Sequence, residues 1–158
     1  MAKEIERKFL IDHEHPEVVA LMATDPKRIE QGYITTSEKG VVRVRIIDGT
    51  GFLTIKSATI GVSRDEYEFD IPVYDAASLL RDLCVTSLRK ERRCFALPEG
   101  LTVELDYFPD HDLYLAEVEL PDETTVFAYP AWFTQEVSHD PAYFNNNLAT
   151  AIAQDASA

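Results

Sequence analysis

The stretch EIERKFLI, residues 4–11, alternates charged and bulky side chains as an extended strand does. Glu4, Glu6 and Lys8 share one parity, whereas the intervening positions are mainly apolar. An extended chain therefore places two carboxylates and an ammonium group side by side on one face. The pattern of the remaining strands indicates whether this face lies in solvent or lines a site.

Turn signals separate the chain into short runs rich in β-branched and aromatic residues. One example is the segment Asp48-Gly49-Thr50-Gly51, which predicts a hairpin between two runs. About eight antiparallel strands are expected, which is enough to close a small barrel. The predicted strands are residues 3–11, 29–36, 41–48, 52–58, 64–73, 87–95, 101–108 and 113–120.

One parity is charged on almost every predicted strand, and charges of the same sign occur together. Arg43 and Arg45 form a basic pair, for example, and Glu117 and Glu119 an acidic one. A single sheet with one wet face shows the same alternation, but repeated pairs of like charges repel and so indicate a function. The charged parity comprises Glu4, Glu6, Lys8, Arg43, Arg45, Lys56, Arg64, Glu66, Glu68, Asp70, Lys90, Arg92, Glu104, Asp106, Glu117 and Glu119.

Helical signals lie between and after the predicted strands. Residues 16–23 form one short run, and Asp75 is a candidate N-cap for residues 76–83. Asp140 followed by Pro141 is typical of a helix start. We therefore predict an α+β fold, in which helices flank an eight-stranded antiparallel β-barrel, or tunnel, with a charged interior.

Length and composition limit the class of protein. The 158 residues predict a single domain over residues 1–154 and a C-terminal tail at 155–158. A net charge of −13 argues against nucleic acid or a membrane as a partner. No signal-peptide pattern is present, so a cytoplasmic protein is expected. Cys84 and Cys94 fit neither a disulfide framework nor a zinc cluster.

The charged parity itself predicts a type of ligand. Charges enclosed in a barrel must pair, shift their pKa values or hold ions. Clustered carboxylates without His or Cys favour a hard cation such as Mg²⁺ or Mn²⁺, whereas grouped Arg and Lys side chains suit a polyphosphate. Acids alone would repel that anion, and a divalent metal resolves the conflict. The residues thus predict a metal-dependent site for a small phosphate-rich molecule.

EIERKFL resembles the ExExK signature of the CYTH, or triphosphate tunnel metalloenzyme, superfamily. The resemblance covers nearly the whole chain, in the order and spacing of the short bacterial members. Ala142 departs from it, because relatives commonly have a basic residue there. The matching stretches are QGYI at 31–34, VRVR at 42–45, LTIKS at 53–57, RDEYEFDI at 64–71, RKERR at 89–93, VELDYF at 103–108, AEVEL at 116–120 and WFTQEVSHDPAYFNNNLA at 132–149.

This resemblance implies a tunnel that binds a triphosphate with one or two divalent metals, Mg²⁺ or Mn²⁺. It further implies a hydrolase that converts inorganic tripolyphosphate to pyrophosphate and phosphate. The implied catalytic residues are Lys8, Tyr33 and Lys90. The implied substrate contacts are Lys8, Arg43, Arg45, Lys56, Lys90 and Arg92. The implied metal ligands are Glu4, Glu6, Glu104, Asp106, Glu117 and Glu119.

Several alternatives stay open from the sequence. The substrate could be an organic triphosphate such as ATP or thiamine triphosphate, with either hydrolysis or cyclisation as the reaction. A non-catalytic polyphosphate-binding domain is a further alternative. Glu66 and Glu68 could serve a second metal or pair with the cations. The preferred metal and the oligomeric state, including a homodimer, are also open.

Overall fold

The computed structural model describes residues 2–157, with side chains described as far as Ile152. The strands are β1 (Ala2–Ile11), β2 (Lys27–Ser37), β3 (Gly40–Ile47), β4 (Thr50–Ser57), β5 (Ser63–Ile71), β6 (Thr86–Ala96), β7 (Thr102–Phe108), β8 (Leu113–Glu119) and β9 (Phe133–Glu136). The helices are α1 (Pro16–Met22), α2 (Val73–Asp82) and α3 (Asn145–Ser157), and a 3₁₀ helix spans Pro141–Tyr143.

Eight antiparallel strands close into a barrel. The neighbours run β5-β4-β3-β2-β6-β7-β8-β1, and the first half of β1 returns to pair with β5. The second half of β1 pairs with the short strand β9. The closed barrel with flanking helices confirms the predicted architecture, and its eight strands begin and end within two residues of the predicted positions.

Hairpin geometry fixes the register that faces the charged side chains inward. Asp48 and Gly49 have φ angles of 46° and 79°, so the β3–β4 turn has positive φ at both central residues, as the predicted hairpin requires. This turn places Arg43 opposite Thr54 and Arg45 opposite Phe52. Because cross-strand partners lie on the same side of a sheet, each inward charge has inward neighbours on both adjacent strands.

The apolar parity packs outward beneath α1 and the loop that leads into β9. Trp132 is the largest fully buried side chain there, and its Nε1 donates to a carboxylate oxygen of Glu17 on α1 at 3.1 Å. This hydrogen bond joins the helix to the barrel. The buried cluster contains Ile5, Phe9, Val18, Leu97, Val103, Leu105, Ala116, Val118, Leu120, Phe127 and Trp132.

A second apolar cluster closes one end of the barrel. At this end inward-facing positions carry apolar side chains, for example Leu88 and Leu115, and Leu148 and Ala149 of α3 pack against them. The helix therefore covers the barrel end instead of lying along its wall. The other buried members of this cluster are Tyr33, Phe108 and Val137.

The start of α2 differs from the prediction. The helix begins at Val73 with Pro72 as its N-cap, and the Pro72 carbonyl accepts from the backbone N–H of Ala76 at 3.0 Å. Asp75 as N-cap is therefore wrong. It lies in the first turn, where a carboxylate interacts favourably with the helix dipole.

The C-terminal helical region is also interrupted. Asp140 caps as predicted, since its side chain accepts from the N–H of Ala142 at 3.0 Å, but the turn that follows is only a short 3₁₀ helix. Phe144 is extended, with φ −73° and ψ 135°, and α3 starts at Asn145. A continuous helix from Pro141 is therefore wrong.

The predicted boundary between domain and tail, at residue 154, falls within α3, and the side chains beyond Ile152 lie outside the described residues, so this boundary stays a prediction. Among the helices described, none has the length and apolar character needed to cross a membrane.

Candidate functional site

The barrel encloses a cavity of about 280 Å³. Its wall is formed by the inward parity of the strands, completed at one end by the segment around Phe144 and Asn145. Every predicted site residue borders this cavity except Asp106. The bordering predicted residues are Glu4, Glu6, Lys8, Tyr33, Arg43, Arg45, Lys56, Lys90, Arg92, Glu104, Glu117 and Glu119.

The cavity has a buried end and a more exposed end. The side chains of Lys90 and Lys8 are 2% and 7% exposed, whereas those of Glu68 and Glu104 are 33% and 28% exposed. The buried end is the one that α3 covers. A ligand that entered from the exposed end would reach Lys8 and Lys90 last, at the buried end of the cavity.

The two deep lysines contact the segment that closes the barrel. Lys8 Nζ donates to the Tyr143 carbonyl at 2.9 Å, and Lys90 Nζ donates to Asn145 Oδ1 at 3.1 Å. Burial lowers the pKa of Lys90 to about 8, although Asp106 opposes this shift. Lys90 therefore holds its proton less firmly than an exposed lysine.

Asp106 lies behind the cavity wall and is fully buried. It accepts two hydrogen bonds from Arg92, both 2.7 Å long, and pairs with Lys90 at 2.8 Å. Burial would raise the pKa of Asp106, but these two cations outweigh it and the pKa is lowered. Asp106 thus anchors two cations that face the cavity.

An acidic wall forms where β1, β7 and β8 are adjacent. The register places Glu6 opposite Glu119 and Glu104 opposite Glu117, so carboxylates face carboxylates. Burial together with Glu117 and Glu4 raises the pKa of Glu6 to about 8. Burial also raises the pKa values of Glu104 and Glu119, with further contributions from neighbouring carboxylates. These three acids lack sufficient positive charge around them.

Two other acids in the cavity are well compensated. Glu4 accepts from Lys56 at 2.8 and 2.9 Å and from Arg64 at 2.9 Å, and these cations outweigh burial and lower its pKa. Glu117 is buried as well, but Lys8, with Lys90 and Arg92 adding to its effect, holds the pKa well below the usual value. Both carboxylates are charged at neutral pH.

A basic wall on β3 has the opposite deficit. Arg43 and Arg45 share one carboxylate, that of Glu68, at 3.7 and 3.4 Å. The Nε atom of each arginine is buried without a hydrogen-bond partner in the described part of the chain. Burial, Arg43 and Arg92 lower the pKa of Arg45 to about 10. This wall lacks negative charge, and two of its N–H groups are unpaired.

The donor set of the acidic wall fits a hard divalent cation, because it consists of carboxylate oxygens short of positive charge. Among the side chains that the structure describes, however, no group of three acidic, His or Cys residues already converges as a metal site. Arg92, for example, pairs with Glu104, and Arg64 approaches Glu6 at 3.9 Å. The acids thus lie near one another, but Glu104 and Glu6 contact arginines and do not share a common ligand position.

Some residues of the site were not assigned a role from the sequence. Arg64 and Thr54 lie on the inward parity, but only the register shows that Arg64 pairs with Glu4 and that Thr54 donates to Glu68 at 2.9 Å. Asn145 lies in the matching stretch 132–149, but its contact with Lys90 was not predicted, because its place depends on where α3 docks.

The family model for the CYTH domain matches residues 2–150, which is most of the chain. The chain belongs to the CYTH family. Relatives of this CYTH protein include an inorganic triphosphatase of Acetivibrio thermocellus, which is 40% identical over 150 residues and covers 94% of each chain. An inorganic triphosphatase of Nitrosomonas europaea is 37% identical, with 94% of this chain and 98% of the relative covered.

Solved structures agree with the CYTH fold. The crystal structure of the inorganic triphosphatase NE1496 superposes with a TM-score of 0.61 at 34% identity, covering 94% of this chain and 95% of that one. A protein from Hippeastrum, described as a putative adenylyl cyclase with dominant triphosphatase activity, has a TM-score of 0.55 at 16% identity. It covers 75% of this chain and 80% of its own, and it supports the fold alone.

Proposed function

We propose that this CYTH protein is a divalent-metal-dependent inorganic triphosphatase that hydrolyses tripolyphosphate to pyrophosphate and phosphate. The observation that carries the proposal is that one cavity has two opposite charge deficits. Its acidic wall has too little positive charge nearby, and its basic wall has too little negative charge. Glu6, Glu104 and Glu119 have raised pKa values, while Arg43 and Arg45 present unpartnered donors. A metal complex of an inorganic polyphosphate supplies both missing charges at once.

The cations would hold the phosphate oxygens. Arg43 and Arg45 offer planar groups that grip oxygens through paired N–H bonds, whereas the lysines act as point charges. The full proposed substrate set is Lys8, Arg43, Arg45, Lys56, Lys90 and Arg92, all of which border the cavity. This number of cations matches the high negative charge of a triphosphate better than that of a monophosphate.

The carboxylates would hold the metal, Mg²⁺ or Mn²⁺. The acids proposed as ligands are Glu4, Glu6, Glu104, Glu117 and Glu119, with those of raised pKa gaining most from a cation. The metal, when bound, supplies charge neutralisation and lowers the pKa of a bound water. Asp106 was a sixth expected ligand, but its burial and bidentate bond to Arg92 favour a supporting role through the cations.

Catalysis would depend on charge stabilisation at the buried end. Lys8 and Lys90 are positioned to neutralise charge on the transferred phosphoryl group and the leaving pyrophosphate, which is the main demand of phosphoryl transfer. Tyr33 borders the same space, and its hydroxyl would donate a hydrogen bond to a phosphoryl oxygen. Coverage by α3 keeps bulk water out, which strengthens each of these interactions.

The closed end of the cavity favours an inorganic over an organic triphosphate. Phe144 and Asn145 occupy the space beyond Lys8 and Lys90, so an adenosine or thiamine group could not extend in that direction. Both curated relatives are named inorganic triphosphatases. These two observations rank inorganic tripolyphosphate above ATP and thiamine triphosphate.

The remaining assignments are part of the same proposal. We infer that Glu66 and Glu68 pair with cations and do not hold a second metal, since Glu66 pairs with Lys56 at 3.3 Å and Glu68 with Arg45. Residues 1–154 would act as one domain. Cytoplasmic location and the absence of nucleic-acid or membrane partners fit the net charge of −13.

A substrate panel tests the proposal. Phosphate release would be measured from tripolyphosphate, ATP, thiamine triphosphate and pyrophosphate, each with Mg²⁺, with Mn²⁺ and with EDTA. We expect tripolyphosphate to be preferred, EDTA to abolish turnover, and Lys90→Ala to lower kcat by roughly 100-fold. Binding without turnover would favour a non-catalytic domain, and a cyclic product from ATP would contradict the proposed reaction.

A further inference from the structure

Gln31 is a fully buried polar residue that the proposed mechanism does not use. It lies on β2, two residues before Tyr33, and does not border the cavity. Its Nε2 donates a hydrogen bond to the phenol oxygen of Tyr33 at 2.8 Å. Its Oε1 is buried and has no donor among the residues that the structure describes. The amide thus donates through its Nε2 and leaves its Oε1 unpaired.

The hydrogen bond from Gln31 restricts the direction of the Tyr33 hydroxyl. A phenol oxygen that accepts from one side must direct its own hydrogen elsewhere. Among the side chains described, those up to Ile152, no acceptor takes that hydrogen, and Tyr33 borders the cavity. Burial raises the pKa of Tyr33, although Arg43 opposes the shift, so the phenol keeps its hydrogen at neutral pH. A donor is therefore available to a ligand in the cavity.

The unpaired Oε1 argues against a purely structural role for Gln31. A buried acceptor without a partner lowers stability, and an apolar side chain of similar length would avoid that loss. In the register Gln31 lies between Arg45 and Leu88, and its Oε1 accepts from neither. The amide is better explained by what its N–H group does to Tyr33.

We propose that Gln31 is a positioning residue that turns the Tyr33 hydroxyl hydrogen into the cavity, toward the phosphate oxygens of the substrate. The inference rests on the proposed function and specifies how one donor of that site is aimed. Tyr33 makes the contact with substrate, and Gln31 acts only through it. The hydrogen bond that Tyr33 donates strengthens as negative charge develops on the phosphoryl oxygens.

A double-mutant cycle tests this role. Gln31→Met, Tyr33→Phe and the double variant would be assayed for kcat and KM with tripolyphosphate and Mn²⁺, and for Tm without ligand. We expect Tyr33→Phe to lower kcat about 10-fold or more and Gln31→Met to lower it about 3- to 10-fold, with KM changed less than about 2-fold. The double variant should match Tyr33→Phe, because Gln31 has no effect without the phenol.

Measurements of Tm distinguish a positioning role of Gln31 from an effect on folding. The Tm of Gln31→Met should equal or exceed that of the wild type, and Gln135→Met, the same change at an exposed position of β9, should alter neither kcat nor Tm. Wild-type kcat in Gln31→Met, effects that add in the double variant, or a kcat loss that follows a fall in Tm would each overturn the inference.

A second variant covers the case in which Gln31→Met does not fold. Gln31→Glu keeps the shape but accepts where the amide donates, so it should lower kcat at least as much. The loss should be larger when Tyr33 is present than in the Tyr33→Phe background, where only the repulsion between the new carboxylate and the phosphate remains. An equal loss in the Tyr33→Phe background would overturn the inference. A wild-type protein inactive on tripolyphosphate would instead overturn the proposed function, so the two failures are distinguishable.

Discussion

Glu4 and Glu6 are two residues apart on the same face of β1, yet their surroundings differ. Glu4 is held by Lys56 and Arg64 at 2.8 and 2.9 Å, and its pKa is lowered. Among the described residues, the only ion pair of Glu6 within 4 Å is with Arg64 at 3.9 Å, and its pKa is about 8. The barrel thus compensates one carboxylate with its own cations and leaves the next short of positive charge.

The cations show the same division. Lys56 is fully engaged, since it contacts both Glu4 and Glu66, whereas Arg45 shares the carboxylate of Glu68 with Arg43. Internally paired charges contribute most to the stability of the fold, and incompletely paired charges provide most of the binding energy for the metal and the phosphate. Substitutions at the two kinds of position should therefore have different effects on activity and stability.

The largest expected effect is on activity at an incompletely paired acid. Glu6→Gln removes a charge that the metal requires but keeps the size of the side chain. We expect kcat for tripolyphosphate to fall by roughly 100-fold or more, measured as phosphate release at saturating metal. A residual activity above half that of the wild type would remove Glu6 from the proposed metal site.

The next effect is a loss of stability at a paired cation. Lys56→Met leaves Glu4 and Glu66 without their shared partner in a mostly buried place. The free energy of unfolding should fall by about 3 kcal/mol, because breaking a buried ion pair leaves an uncompensated charge. Urea unfolding with metal absent measures this, and an unchanged midpoint would show that the pairing is not structural.

Glu6→Gln should also raise the stability of the metal-free protein, in a way that depends on pH. An acid whose folded pKa is raised favours folding below its ordinary value of 4.5, and that contribution is lost as pH rises to about 8. The variant's advantage should therefore grow between pH 5 and 8 and then level off. Since the side chain is 24% exposed, we expect about 2 kcal/mol at the plateau.

The test is urea unfolding of both proteins in EDTA, from about pH 5 to about pH 9. A difference independent of pH would contradict the raised pKa of Glu6. Saturating Mg²⁺ should reverse the order of stability, because the wild type alone gains the full binding energy of the metal.

The smallest expected effect is at an exposed pair outside the barrel. Arg89 and Asp110 form a bridge at 3.0 Å, but the Arg89 side chain is mostly in solvent. Exposed pairs contribute little to stability, so Arg89→Ala should leave Tm and kcat unchanged. A marked loss of activity would mean that charge outside the cavity also contributes to substrate binding.

The sequence predicted the charged interior because strand parity has a fixed period of two. It therefore identified Glu4 and Glu6 equally well, but not which of them is paired, because that depends on the register that brings Arg64 beside Glu4. Parity likewise placed Asp106 inward without revealing that Arg92 and Lys90 cover it. Such differences arise from the closed barrel and not from local pattern.

The helical ends were less predictable for a similar reason. Nothing local indicates that Phe144 interrupts the C-terminal helix or that Asn145 reaches Lys90, since both depend on how α3 docks against the barrel end. Strand β9 is only four residues long, too short for a reliable alternating pattern. Its pairing with β1 comes from tertiary contact.

The most direct test of the central claim is whether metal and triphosphate bind with positive coupling. Calorimetry with Mn²⁺ and an imido-linked, slowly hydrolysed triphosphate would give the affinity of each ligand alone and in the presence of the other. The two charge deficits predict that each ligand raises the affinity of the other by at least about 10-fold, and that Glu6→Gln removes most of this coupling. Independent binding, with the same affinities alone and together, would contradict the account.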